Sequence, residues 1–156
     1  MGDKKSYKLI DIKRGVDYIG VTCVFFCHDG KGRILMHKRS RNCRDEIGRW
    51  DCGSGSMEFG ESFEKAVRRE IKEEYGLQPT EIKLCGVRSV LRKNGNTKTH
   101  WIAAVFAAKV NPTGAKIGEP RKMDQIGWFR TNHLPKPLHS IFTKHLKMVQ
   151  GAGIKI

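Results

Sequence analysis

The run from Ser62 to Tyr75 contains neither glycine nor proline, starts on a side chain suited to capping a helix, and is followed by Gly76, where a left-handed terminating residue belongs. It predicts one helix with defined ends. Stepping about 100° per residue from Phe63, Ala66 and Val67 fall on one side of that helix, and Lys65, Arg68 and Lys72 on the other. Glu70, Glu73 and Glu74 fall with the apolar residues. Any fold of this chain must therefore turn three carboxylates of one helix inward or into a cleft. A solvated acidic face with i to i+4 ion pairs, such as Arg69 with Glu73, is the ordinary use of a charge-rich helix, and the angular positions argue against it.

The segment Gly55 to Gly76 holds six of the sixteen acidic residues of a chain whose formal net charge is +14. Crowded, partly buried carboxylates repel one another and take up protons unless cations neutralise them, and hard divalent ions with oxygen ligands are the simplest compensation. Carboxylates at i, i+3 and i, i+4 offsets can share one or two Mg²⁺ ions, leaving positions for phosphate oxygens and an attacking water. That chemistry suits cleavage of a phosphoanhydride.

Around the helix, "YIGVTCVFFC" (Tyr18 to Cys27), the turn "HDGKG" and "RILMHKR" (Arg33 to Arg39) read as a β-hairpin. Ser40 to Arg49 is an irregular polar loop, and Trp50 to Ser56 a possible short strand entering a glycine turn. Glu81 to Arg92 and Lys98 to Val110 read as a second hairpin about Asn94-Gly95. Asn111 to Gln125 is a long loop, "IGWF" a short strand and Leu138 to Gln150 a last helix. The order of elements implies a mixed α/β domain.

With 156 residues, 38% of them hydrophobic, the chain suits a single domain over 1–156, with 1–17 an N-terminal extension and 136–156 a C-terminal helix and tail. No stretch approaches the length of a membrane span and the start lacks the apolar run of a secretory signal, so a cytoplasmic protein is expected. Met1-Gly2 with Ser6 matches the loose pattern for N-myristoylation, but so short a pattern arises often by chance, and a plain tail is the alternative. The five cysteines, odd in number and without a Cys-x-x-Cys pair, read as reduced and mostly buried thiols. The positive charge attracts polyanions, whether nucleotide, nucleic acid or inositol phosphate. Scattered basic residues without interleaved aromatics do not favour a dedicated nucleic-acid-binding surface.

Gly55, Glu61, Arg69-Glu70-Ile71, Glu73-Glu74 and Gly76-Leu77, at their spacings, fill every specified position of the Nudix box, and the chain is identified by them as resembling Nudix hydrolases. The resemblance extends over roughly Tyr18 to Pro135 and includes "EPRKMDQIGWF", which is similar to a segment of nucleotide-hydrolysing members. It implies a mixed β-sheet held between helices (α/β/α) and Mg²⁺- or Mn²⁺-dependent hydrolysis of a nucleoside diphosphate linked to another group. By position it implies Glu73 and Glu74 as metal ligands and Glu70 as either ligand or general base. It further implies Arg69 orienting the glutamates, Glu61 bracing the loop, the carbonyl of Ser54 touching metal, and Glu119 as an extra acid, a solvent-exposed loop acid being the plain alternative. One departure is visible: many relatives carry Leu-Pro-Gly-Gly where this chain has Cys52-Gly53-Ser54-Gly55.

For the substrate, the implied fold runs the strand ending in Lys38 and Arg39 towards the cleft, so that one of them could grip a distal phosphate. Asp124 and Trp128 resemble the neighbourhood where nucleotide-sanitising relatives hold the base, with core packing the plain alternative for Trp128. His100 and Trp101 lie on opposite faces of a strand, so only one can face the cleft. The expected substrate is a nucleotide-like small molecule, foremost a nucleoside triphosphate, ordinary or oxidised, cleaved to monophosphate and pyrophosphate. ADP-ribose, a dinucleoside polyphosphate, capped RNA and a diphosphoinositol phosphate are the alternatives, and a nucleotide- or RNA-binding module the non-enzymatic one. A monomer and a homodimer are equally compatible with the sequence.

Overall fold

The computed structural model describes residues 11–156, so the myristoylation pattern lies outside the described residues. Seven strands and two helices follow in the order β1 (Gly20–His28), β2 (Arg33–Arg39), β3 (Trp50–Asp51), β4 (Gly53–Ser56), α1 (Phe63–Tyr75), β5 (Pro79–Asn94), β6 (Thr97–Val110), β7 (Met123–Arg130) and α2 (Phe142–Gly151). The strands form one mixed sheet of order β3-β2-β1-β6-β5, with β4 pairing β1 and β7 pairing β2. β1 runs parallel to β6 from Gly20↔Trp101 to His28↔Lys109. The sheet lies between the two helices, as the mixed α/β expectation required.

β1 is covered on both faces, which is why its apolar run is continuous rather than alternating. Cys23, Phe25 and Cys27 pack with Ala66, Val67, Ile71 and Tyr75 of α1, and Val24 and Phe26 pack with Phe142, Leu146 and Val149 of α2. The cysteines are all free thiols, three of them buried.

Three local expectations shift. β1 and β2 meet only at His28↔Ile34 and then diverge, because β1 gives its edges to β4 and β6 while β2 pairs with β7 and β3. In the second hairpin Asn94 pairs with Thr97, so the turn centres on Gly95-Asn96, one residue later than expected, with Gly95 at φ 59 in the first central position that a type II′ turn reserves for glycine. α2 starts at Phe142 rather than Leu138, because the preceding residues are spent on β3: Trp50 N donates to Pro137 O, and His139 N donates to Trp50 O.

Beneath the sheet, the buried His37 ring shares a 2.7 Å hydrogen bond with the Tyr75 hydroxyl. Burial first, then Arg39 and His139, bring its pKa down to about 3, and burial with Arg88 and His139 brings His145 down to about 4. As pH falls below the ordinary value of about 6.5, the unfolded chain takes up these protons and the folded chain does not, so stability drains away by up to about 1.4 kcal/mol per pH unit per histidine. Urea unfolding should therefore show stability present at neutral pH and falling between about pH 6.5 and 4. A flat profile across that window would contradict neutral, buried histidines.

Candidate active site

α1 begins and ends where its sequence directs. The Ser62 hydroxyl accepts from Lys65 N, and Gly76, at φ 68, donates its N–H to Lys72 O. Against this helix lies β4, the segment Gly53–Ser56, whose backbone pairs with β1 although the proline common in relatives is missing. A Cβ at Gly55 would stand 1.9 Å from Glu70 Cδ, so only glycine there leaves the Glu70 carboxylate its place.

Arg69 organises the acids around it. Its Nε and Nη2 donate to the two oxygens of Glu61 at 2.6 and 3.0 Å, and its Nη1 donates to Glu70 Oε1 at 2.6 Å. Nη2 also reaches Ser56 O at 3.3 Å. Glu61 in turn accepts from Glu58 N, and together these bonds hold its carboxyl down to about 2. Lysine cannot form this fork. Arg69→Lys should accordingly lower kcat about 10- to 100-fold, the usual cost of losing a group that orients a ligand, with little change in KM. Equal kcat in the two proteins would remove Arg69 from that role.

Glu74 is 5% exposed and its Oε2 has no hydrogen-bond partner. Burial first, then the charges of Glu70 and Glu119, push its carboxyl well above the usual range. Glu70 is also raised, chiefly by burial, with Arg69 pulling the other way. Glu73 is more open, its side chain 52% exposed, but it lines the cleft with Glu70, so the three carboxylates point inward or into a cleft as expected. Glu119 brings a second orphaned oxygen: its Oε2 is buried without a partner while Oε1 accepts from Lys122 at 2.9 Å. The loop that carries it is locked to α1, because Lys116 N donates to Tyr75 O and Gly118 N to Glu74 O, at 3.1 and 2.8 Å.

Among the described residues no three His, Cys, Asp or Glu side chains converge on one ligating point, and Arg69 engages both Glu70 and Glu73. The chemistry of the donors nevertheless fits a hard divalent cation. Two buried carboxylate oxygens lack partners, the acids raise one another's proton affinity, and all the donors are oxygen.

Ser54, Arg69, Glu70, Glu73, Glu119 and Arg39 all line a cleft of about 590 Å³, with Glu61 and Glu74 behind them. Three residues expected at the substrate are not among its lining. Neighbouring strand residues point to opposite faces, so Arg39 enters the cleft, where it is paired with Asp45, while Lys38, opposite Trp50 and Gln125, faces away. Trp128 packs against the α1-side core with the Arg33 guanidinium 5.9 Å above its ring, the plain alternative for this residue. Asp124 is exposed at the start of β7. Of the pair on β6, Trp101 is the one in the cleft. Its indole lies against Gly15 and Gly20, where a Cβ would come within 2.3 and 2.5 Å of the ring.

Sequence reasoning missed the opposite wall. Asp51, Arg92, His139 and His145 line the cleft from β3, β5, the approach to α2 and α2 itself. Asp45 accepts from Arg39 and Arg92, each at 2.9 Å, and Glu46, at φ 52, accepts from Arg92 at 2.9 Å and from the Ser140 hydroxyl. The polar loop Ser40 to Arg49 is thereby tied to both β5 and the start of α2. Its one sequence signal was two adjacent acids in an otherwise basic segment.

A mixed sheet between two helices, with an acid-rich helix backed by a glycine-bearing strand and met by a loop acid, is the layout of a Nudix domain. The family description NUDIX domain fits residues 18–150, and the chain belongs to the Nudix hydrolase family. It is 30% identical over 141 residues to the 8-oxo-dGDP phosphatase NUDT18 of Mus musculus, covering 88% of this chain and 39% of that protein. It is 38% identical over 134 residues to the ADP-ribose pyrophosphatase of Methanocaldococcus jannaschii, covering 85% and 76%. The MutT NUDIX hydrolase from Burkholderia pseudomallei is similar in three dimensions, with a TM-score of 0.74, 32% identity, and 85% and 98% of the two chains covered. The chain thus spans about two fifths of the length of the first curated relatives it matches. No helix among the described residues is long and apolar enough to cross a membrane.

Proposed function

We propose that this protein hydrolyses a phosphoanhydride bond of a nucleoside diphosphate derivative, foremost a nucleoside triphosphate, ordinary or oxidised, to monophosphate and pyrophosphate. The observation that carries the reading is the pair of orphaned oxygens, Glu74 Oε2 and Glu119 Oε2, on two elements locked together by backbone hydrogen bonds at a cleft of about 590 Å³. Glu73, Glu74, Glu119, the Ser54 carbonyl and Glu70 would hold Mg²⁺ or Mn²⁺. When bound, such an ion supplies charge compensation for the phosphate oxygens and acidifies a water.

The chain's own groups supply the rest. Glu70 lines the cleft and binds its proton more tightly than an ordinary carboxylate, which suits it to accept one from the attacking water; ligation is its other role. Arg69 keeps Glu70 and Glu61 in register. Arg39, Arg44 and Lys122, on the cleft lining, provide positive charge for the phosphates.

A second reading, hydrolysis of ADP-ribose, draws on the relative named as an ADP-ribose pyrophosphatase, which this chain covers over most of its length. Nucleoside di- and triphosphates, their oxidised forms, ADP-ribose, dinucleoside polyphosphates, capped RNA and a diphosphoinositol phosphate should be offered with Mg²⁺ or Mn²⁺ and the products separated by chromatography. Monophosphate and pyrophosphate from a triphosphate is the expected outcome. Turnover of none of them would overturn the hydrolase reading. In the absence of substrate, Mg²⁺ at about 100 times its Kd should stabilise the fold by about 2.7 kcal/mol, and an unchanged melting temperature would remove the metal.

A further inference from the structure

The family match starts at residue 18, yet the chain ahead of that boundary reaches the cleft through Arg14. Residues 13–18 close a tight turn. Val16 N and Asp17 N donate to Lys13 O at 3.1 and 2.8 Å, Gly15 N donates to Tyr18 O at 2.8 Å, and Lys13 N donates to Asp17 Oδ2 at 2.7 Å. The turn is docked on the start of β6, where His100 N donates to Gly15 O at 2.8 Å. Gly15, at φ 77, lies against the Trp101 indole in space that a side chain would need, so only glycine seats the turn there. Arg14 follows from that seat, and its Nη1 donates to Met57 O at 3.0 Å, just beyond β4. The neighbouring carbonyl, Ser56 O, accepts from Arg69 Nη2. Adjacent peptide units therefore hold two guanidinium groups beside the acids of α1, and their circumstances differ. Arg69 is spent on Glu61 and Glu70, Arg39 on Asp45, Arg92 on Asp45 and Glu46, and Lys122 on Glu119. Among the described residues Arg14 has no carboxylate partner, and its hydrogen bond to Met57 O leaves the Nε and Nη2 edge of the fork unused.

We propose that the N-terminal extension supplies a substrate-binding residue, Arg14, whose guanidinium takes a phosphate group of the substrate beside the acids of α1. The inference rests on the phosphoanhydride reading of the cleft. A guanidinium pairs with phosphate through two parallel N–H···O bonds, and the Nε and Nη2 edge that Arg14 leaves open is suited to such a pair. The docked turn and the bond to Met57 O hold the side chain before any ligand arrives, so less ordering is lost on binding. Arg44, the other cleft arginine without a carboxylate partner among the described residues, has no such anchor. The extension thus closes one end of the cleft, and substrate affinity depends on residues that precede the family-matched segment.

The test compares kcat and KM for nucleoside triphosphates in the unmodified protein, Arg14→Ala, Arg14→Gln and Arg14→Lys. Arg14 is exposed, so all three variants should fold. Arg14→Ala should raise KM about 10-fold or more, the worth of a hydrogen bond to a charged group, with a smaller effect on kcat. Lysine keeps the charge and should recover part of that loss. Glutamine can still donate to Met57 O but carries no charge, and it should behave like alanine. Recovery by glutamine and not by lysine would reduce Arg14 to a tether for the turn after β4 and overturn the proposal, as would an unaltered KM in Arg14→Ala. Calorimetric binding of inorganic triphosphate in the presence of Mg²⁺ requires no turnover and no base, and it should weaken by a similar factor in Arg14→Ala. Equal affinity of the two proteins overturns the proposal. Triphosphate binding that depends on Arg14, without hydrolysis of any nucleotide, would remove the enzyme and keep the subsite; hydrolysis with equal KM in Arg14→Ala would do the reverse.

Discussion

Glu74→Gln should reduce turnover about 1,000-fold or more while leaving the melting temperature unchanged or higher. The activity loss follows from removing an anionic ligand from a site where charge compensation is worth several kcal/mol, each 1.36 kcal/mol being tenfold in rate. Stability moves the other way because Glu74 is buried, its Oε2 is unpaired, and Glu70 and Glu119 repel it. A neutral side chain of the same size relieves that cost. Stabilisation by Mg²⁺ should shrink in the same variant, which separates loss of metal from loss of fold. A variant that turns over like the parent would mean that the acids of α1 have another purpose.

Gly118→Ala should cost about 2–4 kcal/mol, the upper range for overpacking, and lower the melting temperature by several degrees. Its Cβ would stand 1.8 Å from the Glu73 carbonyl oxygen, and backbone in the last turn of a capped helix cannot swing aside. The loop would have to lift, breaking the bond from Gly118 N to Glu74 O and carrying Glu119 out of the cleft. Gly55→Ala makes the contrast. There the obstacle is the Glu70 carboxylate, the end of a side chain, so the variant should lose activity with a smaller loss of stability. Calorimetric melting with turnover on the same samples distinguishes the two, and a Gly118→Ala protein as stable as its parent would show that the loop is not held against the helix.

The helix and its acids were legible because their determinants are local. Ser62, Gly76 and the angular placement of Glu70 and Glu74 are properties of one turn and the next. The opposite wall was not, because Asp51, Arg92, Trp101 and His139 lie on segments far apart in the chain, and no spacing connects them. Choosing between Lys38 and Arg39 depended on which face of β2 the cleft lies against, because neighbouring strand residues point to opposite faces and only the placed sheet shows which one opens into it. Trp128 shows a related limit: an aromatic in a short strand satisfies a core and a cleft equally well until the neighbouring strands are placed. The start of α2 was set by main-chain bonds to Trp50, and side-chain patterns carry no record of those.

β5 closes one end of the sheet and, among the described residues, pairs on one side only, over sixteen residues. Leu84, Val87 and Leu91 are exposed along it, a template on which another strand could add. Lys83, Arg88, Arg92 and Lys93 stand on the same strand in a chain of net charge +14. Mutual repulsion between molecules therefore guards what the fold leaves open, and the protein's colloidal behaviour becomes a matter of ionic strength. Concentrated stocks should stay clear at low salt and begin to self-associate as salt or a polyanion screens that charge.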